Sequence, residues 1–212
     1  MNCNNKKQFS KNIVLGLSGG LACGKSTAAK YFVKNGAKLI DADLIAKEIL
    51  DVSGEGYKKV IKYLGVEVLN KDRSINREIL LKRVARNKKD LNALNNITHP
   101  LILSQISKII KKFIKSGAKL IVVDAPLLFE SGLNKKVDFT VVVSSKLIKR
   151  IERICESNKM SISVFNKLRR VQMPLKEKCK LADFIILNNE SLSYLENQVK
   201  NITKLLLNRY AK

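Results

Sequence analysis

A chain of 212 residues with 45% apolar residues, 28% charged residues, 10 glycines and 3 prolines can bury one sizeable core, and its composition excludes a disordered or collagen-like chain. Its 41 Lys and Arg against 18 Asp and Glu leave a formal charge of +23. Such a field concentrates nucleic acids, membrane phosphates and nucleotides alike, and a compositional bias toward Lys, Asn and Ile explains part of the excess equally well. No run approaches the length of a membrane helix, and Met1 to Asn12 is polar with no signal-peptide core, so the expectation is a cytoplasmic protein with no membrane contact. The four cysteines, Cys3, Cys23, Cys155 and Cys179, lack C-x-x-C spacing, and the single histidine, His99, offers them no zinc partner.

In chain order, Ile13 to Leu17 is a short apolar strand that breaks into Gly19-Gly20 and passes into a helix-permissive stretch, Lys25 to Lys34. Lys38 to Ala42 is the next strand candidate, ending on carboxylates, and helical spacing resumes from Leu44 through Ile45, Ile49 and Leu50. The opening is therefore βαβα. From Gly56 to Lys115 apolar residues recur at spacings of three and four, through Ile79, Leu80, Val84, Leu91 and Leu94 and then Ile102, Ile106, Ile109, Ile110 and Phe113. That pattern predicts an all-helical insertion. Leu120 to Val123 and Phe139 to Val143 are nearly continuous apolar runs, as burial on both faces of a parallel sheet demands, and Phe184 to Leu187 is a last strand. Residues 146–180 form a basic, helix-compatible stretch with eleven Lys and Arg against three Glu. A closing helix repeats Leu192, Leu195, Val199, Ile202 and Leu206.

The segment from Gly19 through Gly20, Leu21, Ala22, Cys23, Gly24 and Lys25 to Ser26 matches G-x-x-x-x-G-K-[ST] and lies between a strand and a helix, the context that marks a phosphate-binding loop. Glycines let the backbone turn its N–H groups inward, and the following helix offers its positive end to phosphate. Lys25 would reach the β and γ phosphates, and Ser26 would hold Mg²⁺. Asp41 and Asp43 end the second strand at the sheet edge where α/β proteins place ligands. Asp41 is read as the group that holds and deprotonates an attacking hydroxyl, whereas Asp43 either faces the site or caps a helix starting at Leu44. Asp124 ends the third strand, where it either reaches the metal through water or is simply a solvated strand end. His99 before Pro100 is either a substrate ligand or a structural residue at a helix boundary. Cys23 stands where a helix N-terminus can lower a thiol pKa.

Read together, these residues resemble the dephospho-CoA kinase family. The resemblance spans Ile13 to about Leu206 and is carried by GLSGGLACGKST (Gly16 to Thr27), GAKLIDADLIAKEI (Gly36 to Ile49), Arg77 to Leu80, THP (Thr98 to Pro100) and DAPLLFESG (Asp124 to Gly132). QMPLKEK (Gln172 to Lys178) and ADFIILN (Ala182 to Asn188) complete it. It implies ATP-dependent phosphorylation of the ribose 3′-hydroxyl of dephospho-CoA, the last step of coenzyme A synthesis. The implied fold is an α/β P-loop NTPase-type parallel sheet flanked by helices, with a helical substrate lobe and a lid. The division that follows is an extension (1–12), the loop-bearing core (13–55), the substrate lobe (56–117), core strands (118–145), the lid (146–180), and the last strand and helix (181–212).

On this resemblance ATP would be held by Gly20, Ala22, Cys23, Gly24, Lys25, Ser26, Thr27 and Asn188, and dephospho-CoA by Asp43, Arg77, His99, Pro126, Leu127 and Glu130. Lys25, Asp41 and Arg153 would be catalytic, and Mg²⁺ would be held by Ser26 and, through water, Asp124. The family usually places a glutamine before the first lid arginine and a second arginine about one helical turn after it. Here Arg153 takes the first arginine's place, Arg150 stands at the glutamine and Ser157 at the second arginine. Either the alignment slips, or a neighbour such as Lys159 has taken over one phosphate contact. The alternatives are another small-molecule kinase or a nucleoside monophosphate kinase, which should lack the HP and PLLFE motifs, and a nucleic-acid-binding ATPase suggested by the charge. Against the latter, only 6% of residues are aromatic and none lies in Lys167 to Lys180, so no base-stacking stretch exists and no specific nucleic acid is expected. A monomer is expected.

Overall fold

A computed structural model of the chain describes residues 12–157 and 160–210. The extension 1–12, apart from Asn12, and Lys159 lie outside the described residues. Five strands, β1 (Ile13–Gly19), β2 (Lys38–Asp41), β3 (Leu120–Asp124), β4 (Phe139–Ser144) and β5 (Phe184–Leu187), form one sheet in the order β2-β3-β1-β4-β5. β1 runs parallel to β3 and β4, and β4 to β5. Every residue of β1 and β3 is buried, which is why these segments read as unbroken apolar runs instead of alternating ones.

Two helices cover one face: α1 (Lys25–Lys34) and the C-terminal α9 (Leu192–Tyr210). Phe32, Ala28 and Ala29 of α1 and Leu195, Val199 and Leu206 of α9 pack with Leu15, Leu17, Val141, Val143 and Ile186 of the sheet. The basic stretch 146–180 contains three helices, α6 (Leu147–Ser157), α7 (Ile162–Val171) and α8 (Leu175–Leu181). Ser161 caps α7 by accepting from the Val164 N–H at 3.3 Å.

The chain divides into two units, one taking the segments up to Ile40 and from Ile110 onward, the other Asp41–Ile109. The second holds α2 (Ala42–Ile49), α3 (Glu55–Leu64), α4 (Arg77–Arg86) and most of α5 (Lys88–Lys115), around a small core of Val60, Leu64, Val68, Leu80 and Val84. Two expectations change here. The insertion is not all-helical, because Leu69 and Ile75 form an antiparallel bridge. Between them Asp72 Oδ1 accepts from the Ser74 N–H and hydroxyl at 2.9 and 2.6 Å, and short polar side chains that bond the backbone in this way favour turns over helix. His99 is also not at a helix boundary, since α5 continues through Pro100. Proline there removes one backbone bond from a helix long enough to continue on both sides.

Candidate functional site

β1 delivers the phosphate loop to the carboxyl edge of the sheet, and the strand register sets what surrounds it. Leu17 lies level with Asp124, the last residue of β3, and Gly19 with Val143 near the end of β4. β4 in turn aligns Ser144 with Leu187, so Asn188 follows β5 at the same edge.

The loop's shape follows from where its carbonyls go. Three consecutive ones are held by side chains from distant parts of the chain. Leu21 O accepts from Arg150 Nε at 2.7 Å, Ala22 O from Arg153 Nη1 at 3.3 Å, and Cys23 O from Asn188 Nδ2 at 2.9 Å. In a trans peptide the N–H points opposite to the C=O, so fixing these carbonyls outward fixes amide hydrogens the other way. Among the described residues, no hydrogen bond within the protein engages the N–H groups of Ala22, Gly24, Lys25 or Ser26. Ala22 at φ 60° and Gly24 at φ 90° are both left-handed, and such turns gather successive N–H groups into an anion-binding concavity. A Cβ on Gly24 would stand 2.2 Å from Asn188 Nδ2, so glycine is required there for space as well as for φ. The helix after the loop, α1, has no side-chain cap and no acidic residue in its first turn, which leaves its positive end to an external anion.

Lys25 opens α1 and pairs with Asp124, so the loop's ammonium group is held at the sheet edge by a carboxylate. Ser26 follows, exposed, and Thr27 is tied into the helix start through its N–H to Gly24 O at 3.1 Å. Cys23 is buried, and burial raises its thiol above the ordinary value against the lowering effect of the Arg150 charge. The expected lowering by the helix N-terminus is therefore not found, because desolvation outweighs it.

Asn188 is 4% exposed. Its carbonyl accepts from Arg153 Nη2 at 2.7 Å and from the Ser145 hydroxyl at 2.8 Å, and the same arginine reaches Ser145 Oγ at 3.2 Å through Nη1. Arg153 is thus stitched to both the loop and the end of β5. The segment after β3 is held from α8. Lys178, 0% exposed, donates to Pro126 O at 2.6 Å and pairs with Glu130 Oε1 at 3.0 Å. That oxygen also accepts from the Met173 N–H at 2.9 Å, while Pro126 O takes the Ser18 hydroxyl at 3.2 Å. Leu127 remains exposed.

Four of the residues singled out from the sequence belong wholly to the second unit. Asp41 closes β2 and caps α2, its Oδ1 accepting from the N–H groups of Asp43 and Leu44 at 2.9 and 3.0 Å. The cap is therefore Asp41 and not Asp43, because α2 begins at Ala42, two residues before the expected start. Arg77 is exposed at the first position of α4, and His99 is half-buried within α5. Among the described residues no hydrogen bond or ion pair joins those two.

Sequence reasoning gave no role to Lys178, and none to Arg150 beyond its place in the lid. The signal for Lys178 was faint. It stands in the quoted QMPLKEK segment, but a lysine in a basic stretch reads as solvated.

A family model described as dephospho-CoA kinase matches residues 13–193. Dephospho-CoA kinase from Carboxydothermus hydrogenoformans is 40% identical over 189 residues, covering 89% of this chain and 92% of the relative. That from Lactobacillus johnsonii is 38% identical over 193 residues, covering 89% and 95%. Among solved structures, a Thermus thermophilus protein superposes with a TM-score of 0.80 at 28% identity, covering 92% of this chain and 98% of that one. Dephospho-CoA kinase from Campylobacter jejuni gives 0.67 at 31% identity, covering 91% and 96%. Shikimate kinase from Acinetobacter baumannii, at 12% identity and a TM-score of 0.51, shares the fold alone. With a family model matched over residues 13–193 and relatives 38–40% identical over most of both chains, the chain belongs to the dephospho-CoA kinase family.

Proposed function

We propose that this protein transfers the γ-phosphoryl group of ATP to the ribose 3′-hydroxyl of dephospho-CoA, completing coenzyme A. The observation that carries the reading is the loop whose carbonyls are bonded outward while, among the described residues, four of its amide groups have no partner within the protein, together with the family match. Phosphoryl transfer asks a protein mainly for positioning and charge neutralisation, and this loop is built for both. Lys25 would exchange part of its pairing with Asp124 for β- and γ-phosphate oxygens. Ser26, Thr27 and the amides of Ala22 and Gly24 would bind the phosphate chain, with Asn188 bracing the loop beneath the nucleotide.

Mg²⁺ fits the donor set. The exposed Ser26 hydroxyl and the Asp124 carboxylate, acting through water, are hard oxygen donors. Among the described residues no group of three or more His, Cys, Asp or Glu side chains gathers in one place. When bound, Mg²⁺ would supply charge neutralisation for the nucleotide's phosphates.

Asp41 spends one carboxylate oxygen on its cap, and the other would accept the 3′-hydroxyl proton as the new O–P bond forms and ADP leaves. Asp43, Arg77, His99, Pro126, Leu127 and Glu130 would form the dephospho-CoA side. Within that set Glu130 and Pro126 act by shaping the chain, through Lys178 and Met173, and Leu127 by direct contact. Arg153 would serve as the lid cation, trading its carbonyl partners for phosphate oxygens when nucleotide arrives. No helix among the described residues is long and apolar enough to cross a membrane. The test is turnover with Mg²⁺ and ATP. Dephospho-CoA should be phosphorylated far faster than AMP or adenosine, and equal turnover of a nucleoside monophosphate would refute the assignment.

A further inference from the structure

On the register that makes Arg153 the first lid arginine, Arg150 stands where the family usually keeps a glutamine, and its surroundings are unusual for a cation. It is 5% exposed. Its Nε donates to Leu21 O at 2.7 Å, and its guanidinium lies against Gly20, where a Cβ would stand 3.2 Å from Nη2 and 3.3 Å from Cζ. Phe165, itself 0% exposed, covers the guanidinium with its ring centroid 5.1 Å from Cζ. Phe165 belongs to α7, so this stack joins the lid's second helix to the phosphate loop. None of the ion pairs among the described residues involves Arg150. Burying a guanidinium without a carboxylate partner costs free energy, and here the offsetting contacts are one loop carbonyl and one aromatic face.

We propose that Arg150, held by Phe165, is a positioning residue that sets the Leu21–Ala22 peptide of the phosphate loop so that the Ala22 N–H faces the nucleotide's phosphates. The physical step is the rigidity of that one peptide. Its C=O is fixed on Arg150, its N–H points the opposite way, and that N–H has no partner within the protein among the described residues. A Cβ on Gly20 would press on Cys23 Sγ at 2.9 Å and crowd this guanidinium at 3.2 Å from Nη2, so the small residue leaves the guanidinium room beside the loop. Because Phe165 stacks on the guanidinium, the placement of α7 is transmitted to the loop through this contact. A glutamine at this place can donate a hydrogen bond to the same carbonyl, but it lacks the charge and planar fork with which arginine stacks on an aromatic ring.

The inference rests on the loop's binding a nucleotide and is independent of which alcohol accepts the phosphoryl group. The experiment is calorimetric titration of the full chain with ADP and with adenosine, alongside thermal unfolding without ligand. If the unaltered protein binds no ADP, the nucleotide reading itself fails. Given that it binds, Arg150→Met should weaken ADP about 10-fold, the loss of one charge-assisted orienting bond, while leaving adenosine affinity and the ligand-free unfolding midpoint nearly unchanged. Arg150→Gln, which restores a donor, should recover most of the ADP affinity. Phe165→Leu should weaken ADP in the same direction, and the double variant with Arg150→Met should be no worse than Arg150→Met alone. Unchanged ADP affinity in Arg150→Met overturns the proposal. So does equal weakening by Gln and Met, which would make Arg150 a direct phosphate ligand, and so does equal weakening of ADP and adenosine, which would make it a general structural pin. If Phe165→Leu alone has no effect, the link through α7 is refuted.

Discussion

Replacing Lys178 by methionine separates a buried scaffold lysine from an ordinary member of a basic stretch. The ammonium group has two partners, Pro126 O at 2.6 Å and Glu130 Oε1 at 3.0 Å, and no exposure to solvent. Removing one member of a buried ion pair typically costs about 3–5 kcal/mol because the other is left uncompensated. Here the remaining groups are not abandoned. Glu130 keeps the Met173 N–H at 2.9 Å and access to solvent, and Pro126 O keeps the Ser18 hydroxyl at 3.2 Å. Methionine also fills the space of the lysine stem. The loss should therefore sit at the low end, about 3 kcal/mol. In a chain of this size each kcal/mol moves the unfolding midpoint by about 2–4 °C, so Lys178→Met should unfold about 6–12 °C below the parent in a calorimetric scan at neutral pH. In a double-mutant cycle with Glu130→Gln, the two directly paired positions should couple by about 1–2 kcal/mol. A midpoint within about 1 °C of the parent for Lys178→Met, or additive effects in the cycle, would show that the pair carries no net stability and that the segment after β3 is held by other contacts.

Asp41→Asn should lower kcat by roughly 10²-fold or more with ATP affinity nearly intact, and because asparagine caps helices about as well as aspartate, its thermal midpoint should hold. A near-normal kcat would remove Asp41 as the base. Arg153→Ala should lower kcat by roughly 10³-fold if the side chain neutralises transition-state charge, and Arg153→Lys should rescue incompletely because an ammonium cannot reproduce the planar fork; steady-state kinetics at saturating ATP decides it. Cys23 keeps its proton in the folded protein, so iodoacetamide at mildly alkaline pH should label the exposed Cys155 first and Cys23 only on unfolding, as peptide mass mapping would show. A raised pKa means that the folded state binds the proton more tightly than the unfolded one. Stability from this group is full below the ordinary thiol value of 9.0 and falls as pH rises beyond it, and Cys23→Ala should flatten that part of the pH profile.

Much of this protein is legible in one dimension because its signals are local. The loop is a fixed spacing of Gly19, Gly24, Lys25 and Ser26, and the central strands announce themselves as unbroken apolar runs because the sheet is covered on both faces. Asp124 could be placed at a strand end for the same reason. Local signals blur where polar side chains compete with the backbone, so the bridge between Leu69 and Ile75 was invisible, and the start of α2 was placed two residues late because either aspartate of the Asp41-Ala42-Asp43 run can cap a helix. What the tertiary structure alone decided is who holds the loop. Arg150, Arg153 and Asn188 lie 129, 131 and 165 residues from the carbonyls they bind, and Lys178 lies 52 residues from Pro126. In sequence these are three polar residues and one more lysine in a basic stretch. Their roles arise because parallel strands deliver their carboxyl ends to one edge, where groups far apart along the chain meet the same unsatisfied backbone, and no periodicity records that meeting.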